Sequence, residues 1–135
     1  MQAHDRSLSA LFAQPIRYVV PLFQRPYVWK RDTQWEPLWQ DIQRLAEKRL
    51  EGANGEGLAH FLGSVVLSQL QTSTGEVIAR QVIDGQQRLT TLQILFTAIR
   101  DFAQASGSEN TVHVFRGLTT NQTNPGAPAD HLQKV

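Results

Sequence analysis

Short apolar runs alternate with polar turns along the chain, and the period of the runs changes twice. Ser7 to Ala13 carries Leu8, Leu11 and Phe12 and predicts a short helix that Pro15 ends. Ile16 to Val20 is apolar and partly β-branched and is stopped by Pro21, which predicts a strand. Pro21 and Pro26 then hold Pro21 to Trp29 as an extended loop. From Asp32 the period becomes helical: Trp35, Leu38, Trp39, Ile42, Leu45 and Ala46 share one face. Thr33 with Glu36 is a candidate capping box, and Pro37 places the regular part of the helix nearby. Gly52, Gly55 and Gly57 end it in a flexible connection.

Phe61 to Leu70, the turn Thr72 to Gly75 and Val77 to Ile83 predict a β-hairpin that Asp84-Gly85 closes. A second helix follows from about Gly85 to Gln104, with Leu92, Leu95, Phe96, Ile99 and Phe102 on its apolar face. Residues 106–135 differ in kind, because Gly, Ser, Thr, Asn and Pro supply fourteen of the thirty. The expectation there is little order apart from a short strand at Val112 to Phe115. The sequon-like Asn121 to Thr123 is read as a chance match. The fold class that follows is α+β: a small mixed sheet from residues 16–20, 61–70 and 77–83, flanked by two long helices.

Composition narrows the functions. At 135 residues the chain has the size of one domain, and 41% hydrophobic residues suffice for a small core. Cysteine is absent, which excludes disulfides, thiolate metal sites and cysteine nucleophiles together. Met1 to Ser9 is polar and lacks a secretory h-region, and no apolar run reaches the length of a membrane span. The expected location is the cytoplasm. The net charge of +1 excludes a strongly basic nucleic-acid wrapper. It conceals an asymmetry, since residues 1–50 balance to +3 (eight basic, five acidic) and residues 51–135 to −2 (five basic, seven acidic). His4, His60, His113 and His131 have no metal-like spacing, and neither a Walker loop nor a Rossmann fingerprint is present.

Three stretches carry candidate chemistry. In Asp84-Gly85-Gln86-Gln87-Arg88 a strand turns into a helix. Helix starts present unpaired N–H groups and a partial positive charge, and glycine there lets a ligand approach the backbone. The same residues also read as an ordinary cap, with Asp84 as N-cap and Gln87 completing a box. Arg88 decides against the cap alone, because a cation in the first turn opposes the helix dipole. By helical angle Arg88 sides with Leu92, Leu95 and Ile99, so it needs a partner, either Asp84 or a phosphate. The second stretch, Gln24-Arg25-Pro26-Tyr27-Val28-Trp29, fixes an arginine between prolines and offers two rings that either stack on a base or cover the core. The third, Phe61-Leu62-Gly63-Ser64, places a glycine in a strand, which marks a close approach or a bulge.

Together these motifs, with Leu89-Thr90-Thr91-Leu92 after the arginine, resemble the N-terminal domain of GmrSD-type, modification-dependent restriction enzymes. The resemblance covers roughly residues 5–105, and Phe23 stands where that family often has tyrosine. It implies a ParB/sulfiredoxin-like fold over residues 1–105, with 106–135 as a flexible boundary. It also implies a nucleotide-binding and nucleotide-hydrolysing domain working beside an HNH-type nuclease domain, with DNA contacted indirectly and no membrane. Carried over by motif, Gln24, Arg25, Gly63, Ser64, Gly85 and Gln87 bind the nucleoside triphosphate, while Asp84, Gln86 and Arg88 act on it. Mg2+ is a possible companion, although one carboxylate is a weak cation site alone. The family's greater length implies that this chain is a fragment without DNA cleavage of its own. Two rival readings are a non-catalytic, ParB-like DNA-binding module and a domain-docking module presenting its tryptophans.

Overall fold

The computed structural model describes residues 3–54, 58–122 and 133–135. Gly55 and Gly57, Thr123 of the sequon-like triplet and His131 lie outside the described residues. The chain divides into two compact units, one formed by residues 1–24 with 64–135 and the other by residues 25–63.

In the first unit Ser7 caps helix α1 (Leu8–Phe12), its hydroxyl accepting from the Ala10 N–H. Strand β1 (Ile16–Val19) follows, and its alternation buries Ile16 and Tyr18. Strands β2 (Val66–Gln69) and β3 (Ile78–Asp84) form the expected hairpin, with Leu67 opposite Val82 and a bulge between Val66 and Leu67. β1 runs parallel to β3, with Ile16 opposite Ile78 and Tyr18 opposite Arg80. The sheet is therefore mixed, ordered β1-β3-β2, and with its helices the fold is α+β. β3 is the central strand, and both Ala79 and Val82, on its opposite faces, are buried. β2 is shorter than the apolar run Phe61 to Leu70, because residues 61–65 precede it without strand structure.

Helix α3 (Gln86–Ala105) lays Leu89, Leu92, Phe96 and Ala103 into the core. Phe102, expected on that face, is 74% exposed. The buried stripe runs through 89, 92, 96 and 103, and Phe102 falls about 100° away from its last member. Residues 109–119, expected to hold at most a short strand, form helix α4 (Glu109–Thr119). Val-His-Val-Phe is too short to distinguish strand from helix, and packing decides: the Phe115 ring meets Phe96 edge-on at 5.6 Å. Phe96 in turn meets Phe12 at 5.7 Å and Phe12 meets Tyr18 at 5.8 Å, so four rings join α4, α3, α1 and β1. The C-terminal residues return to β1: the Tyr18 N–H donates to the Lys134 carbonyl at 2.6 Å. Buried Asn121 donates to the carbonyls of Ile16 and Gln133.

In the second unit the Trp35 N–H reaches back five residues to the Lys30 carbonyl at 3.2 Å, a π-turn over Arg31–Trp35. It runs into helix α2 (Glu36–Leu50), with Pro37 in the first turn as expected. No side chain caps α2, and Thr33 donates to the Gln34 amide oxygen, so the Thr33–Glu36 capping box does not form. The Trp35 indole N–H donates to the Tyr27 hydroxyl at 2.6 Å. Asp41 accepts from Arg44 at 2.6 Å and lies 3.4 Å from the His60 Nε2.

Candidate functional site

The turn between β3 and α3 gathers most of the candidate residues of the first unit. Asp84 ends β3 with its side chain exposed. Gly85 is the N-cap of α3, with φ of +93°, a left-handed conformation that costs a side-chain-bearing residue energy. The expected capping box is therefore not what starts this helix: no side chain caps it, and Asp84 stays in the strand. Having glycine at the N-cap removes the side-chain acceptor that would cover the helix end. The first N–H to bond back inside the helix is that of Leu89, to the Gly85 carbonyl at 3.1 Å. The N–H groups before it point out of the helix end, where the dipole is positive.

Gly85 is also confined. A Cβ built there lies 2.9 Å from the Val65 Cγ2, 3.2 Å from the Val65 Cα and 3.3 Å from the Ser64 carbonyl oxygen. The strand entering the hairpin thus passes directly over the turn. Arg88 fastens it, its Nη1 donating to the Ser64 carbonyl. The partner that Arg88 requires is this main-chain oxygen and not the Asp84 carboxylate. On the other side of the turn Gln24 donates its Nε2 to the carbonyl of Ile83 at 3.2 Å and, more weakly, to that of Val82 at 3.5 Å.

Gln86 is buried at the helix start, and Gln87 is half-buried beside it. Thr91 donates to the Gln87 carbonyl at 2.8 Å, which ties the first turn of α3 to the second. In the first unit the structure therefore brings together Gln24, Ser64, Asp84, Gly85, Gln86, Gln87 and Arg88. Arg25 and Gly63 belong to the second unit; Arg25 is exposed, and Gly63 has φ of +97°.

The closest approach of Val65 to Gly85 escaped sequence reasoning. Its only local signal was the glycine itself, because the approaching residue is twenty positions away and arrives through strand pairing. Among the described residues no group of three or more His, Asp and Glu gathers into a cation cage. Asp84 is the one carboxylate of the motif, so the protein residues alone do not fit a resident divalent ion. A shallow groove of about 390 Å3, lined by Ser108, Glu109, His113 and Arg116 among others, lies at the α3–α4 turn. It sits at the far end of α3, about 30 Å of helix from the motif turn.

No described helix is long and apolar enough to cross a membrane. No curated protein matches the chain significantly. The family model described as the GmrSD restriction endonuclease, N-terminal domain, matches residues 8–133.

Proposed function

The chain belongs to the GmrSD restriction endonuclease N-terminal domain family, and on that footing we propose that it binds and hydrolyses a nucleoside triphosphate at the β3–α3 turn. In the full-length protein this activity serves a nuclease domain, commonly of the HNH type, that acts on DNA. The observation that carries the reading is the left-handed Gly85 N-cap, which leaves the start of a twenty-residue helix without a side-chain cap. Such a helix end favours a bound anion, because N–H groups and the helix dipole converge on it.

The residues divide the work. The triphosphate lies against the N–H groups of the first turn of α3. The Arg88 guanidinium neutralises charge that develops on the phosphoryl oxygens. Arg88 has five N–H donors, so its bond to Ser64 engages only part of the group. Asp84 ends β3 exposed and positions the attacking water. Of the two glutamines, half-buried Gln87 is better placed than buried Gln86 to orient that water. Gln24 and Ser64 complete the binding residues of the first unit. A divalent ion such as Mg2+ arrives with the triphosphate as its escort, since Asp84 is the only carboxylate of the motif.

Thermal melting of the wild type and of Arg88→Ala, each with ATP, GTP, CTP or UTP and Mg2+, tests this. A nucleotide at one hundred times its dissociation constant stabilises the wild type by about 2.7 kcal/mol. Arg88→Ala is expected to lose most of that shift. Melting curves indifferent to all four nucleotides would remove the reading. A shift that survives Arg88→Ala intact would put the site elsewhere.

A further inference from the structure

The chain leaves the first unit after Gln24 and re-enters it at Ser64. Both of these residues are fastened to one short turn. Gln24 donates to the Ile83 and Val82 carbonyls, just before Asp84. Ser64 receives the Arg88 guanidinium, just after Gly85, and its carbonyl oxygen and Val65 press on the Gly85 backbone. Sequence distances of 59 and 24 residues are thus closed onto one short stretch, Val82 to Arg88.

The two fastenings differ in chemistry. Gln24 is a neutral amide on neutral carbonyls, and nothing about a phosphate at the helix start competes for it. Arg88 is a full cation spent on a neutral carbonyl. Charge-assisted bonds to an anion are about twice as strong as neutral ones, and a bidentate pair adds to that. An anion at the turn therefore outbids the Ser64 carbonyl for Arg88.

We propose that Gln24 is a fixed brace and Arg88 an exchangeable latch, so that a polyphosphate at the turn draws Arg88 away and releases the re-entry point at Ser64. This rests on the nucleotide reading of the same turn. In it Gln24, besides lining the pocket, acts through the end of β3 and sets where Asp84 stands. The nucleotide state is thereby felt at Ser64 and not at Gln24. Motifs far apart in sequence then belong to one device: Gln24 braces the turn, Ser64 is the latch's keeper and Arg88 carries the latch.

Amide hydrogen exchange read by mass spectrometry tests this on the whole chain, without ligand and with Mg2+ and whichever of ATP, GTP, CTP or UTP shifts the melting point. With nucleotide, amides 85–88 are expected to slow while amides 63–66 quicken about fivefold, the value of one net hydrogen bond. Slowing of both segments together would overturn the latch. Without ligand, Arg88→Ala is expected to quicken 63–66 and Gln24→Leu to quicken 82–87. In both variants exchange in β1 and α4 should stay as in the wild type, which a general loss of structure would not allow. Arg88→Lys, which keeps the charge but not the fork, replaces Arg88→Ala if that variant does not fold. Ligand-free variants with wild-type exchange at these segments would refute the fastenings themselves. If no nucleotide shifts the melting point, the nucleotide reading fails and the latch with it, while the ligand-free arm alone decides the Gln24 brace.

Discussion

Gly85 and Val65 are in contact across the base of the hairpin, with only a hydrogen on the glycine side to admit the valine. A Cβ at 85 would stand 2.9 Å from the Val65 Cγ2, and φ at 85 is +93°. Both strain and collision oppose any side chain there. Gly85→Ala is expected to cost about 2–4 kcal/mol, the sum of a left-handed non-glycine residue and an overpacked contact. Gly107→Ala is the control, because φ there is +75° but nothing lies within 4 Å of the added carbon. It should cost about 1–2 kcal/mol, from strain alone. Urea denaturation of the two variants separates the terms.

Phe12 is fully buried and touches Tyr18 and Phe96 edge-on. Phe12→Ala would open a cavity at the junction of α1, β1 and α3 and is expected to cost about 3–5 kcal/mol. Phe102→Ala, on the same long helix but 74% exposed, should stay within about 0.5 kcal/mol of the wild type. Thermal melting of both variants would check the reassignment of the α3 face. A large loss at Phe102 would show that face to be covered.

Lys134 is 2% exposed, and its Nζ donates to the Gln14 carbonyl at 2.7 Å. Burial lowers its pKa from the ordinary 10.5, because the charged form is the one that suffers desolvation. Between the lowered value and 10.5 the unfolded chain binds more protons than the folded one. Stability therefore rises with pH through that window. Tyr18 acts oppositely: burial raises its pKa above 10.0, with Arg80 and Arg6 opposing, so its contribution is lost as pH rises through the raised folded value. Lys134→Met is expected to be more stable than the wild type at neutral pH and to lack the alkaline rise. Urea unfolding from pH 7 to 9.5 reads it.

Asp84 is exposed and ends its strand, so Asp84→Asn removes a charge without disturbing the core. Its stability should stay within about 0.5 kcal/mol of the wild type. Nucleotide-dependent stabilisation is expected to persist, while phosphate release falls by about 10²-fold or more, the value of a positioned acid or base. Loss of binding together with turnover would assign Asp84 to binding instead.

Much of the fold was legible along the chain. The helical period from Trp35 to Ala46 and that from Leu92 to Ile99 are properties of adjacent residues, as are the stops at Pro15 and Gly52, whereas Phe102 lies off the buried stripe. The hairpin was legible because two apolar runs flank Thr72 to Gly75. Less legible were the places where two local outcomes were comparable. Val112 to Phe115 suited a strand as well as a helix until Phe96 supplied a packing partner. Asp84 was a sound cap by residue type, but antiparallel pairing with Val66 in the hairpin holds it in the strand.

The sequence by itself determined where the motif turn falls, because Asp84 to Arg88 are contiguous and lie where a strand period gives way to a helical one. Only the tertiary structure decided what those residues touch. Arg88 meets the Ser64 carbonyl rather than Asp84, and Gln24 meets the end of β3. Those partners are 24 and 59 residues away, and their meeting depends on strand register and on the bulge after Val66. Periodicity reports local energetics, whereas the partner of a side chain is chosen by whichever distant backbone the sheet brings alongside.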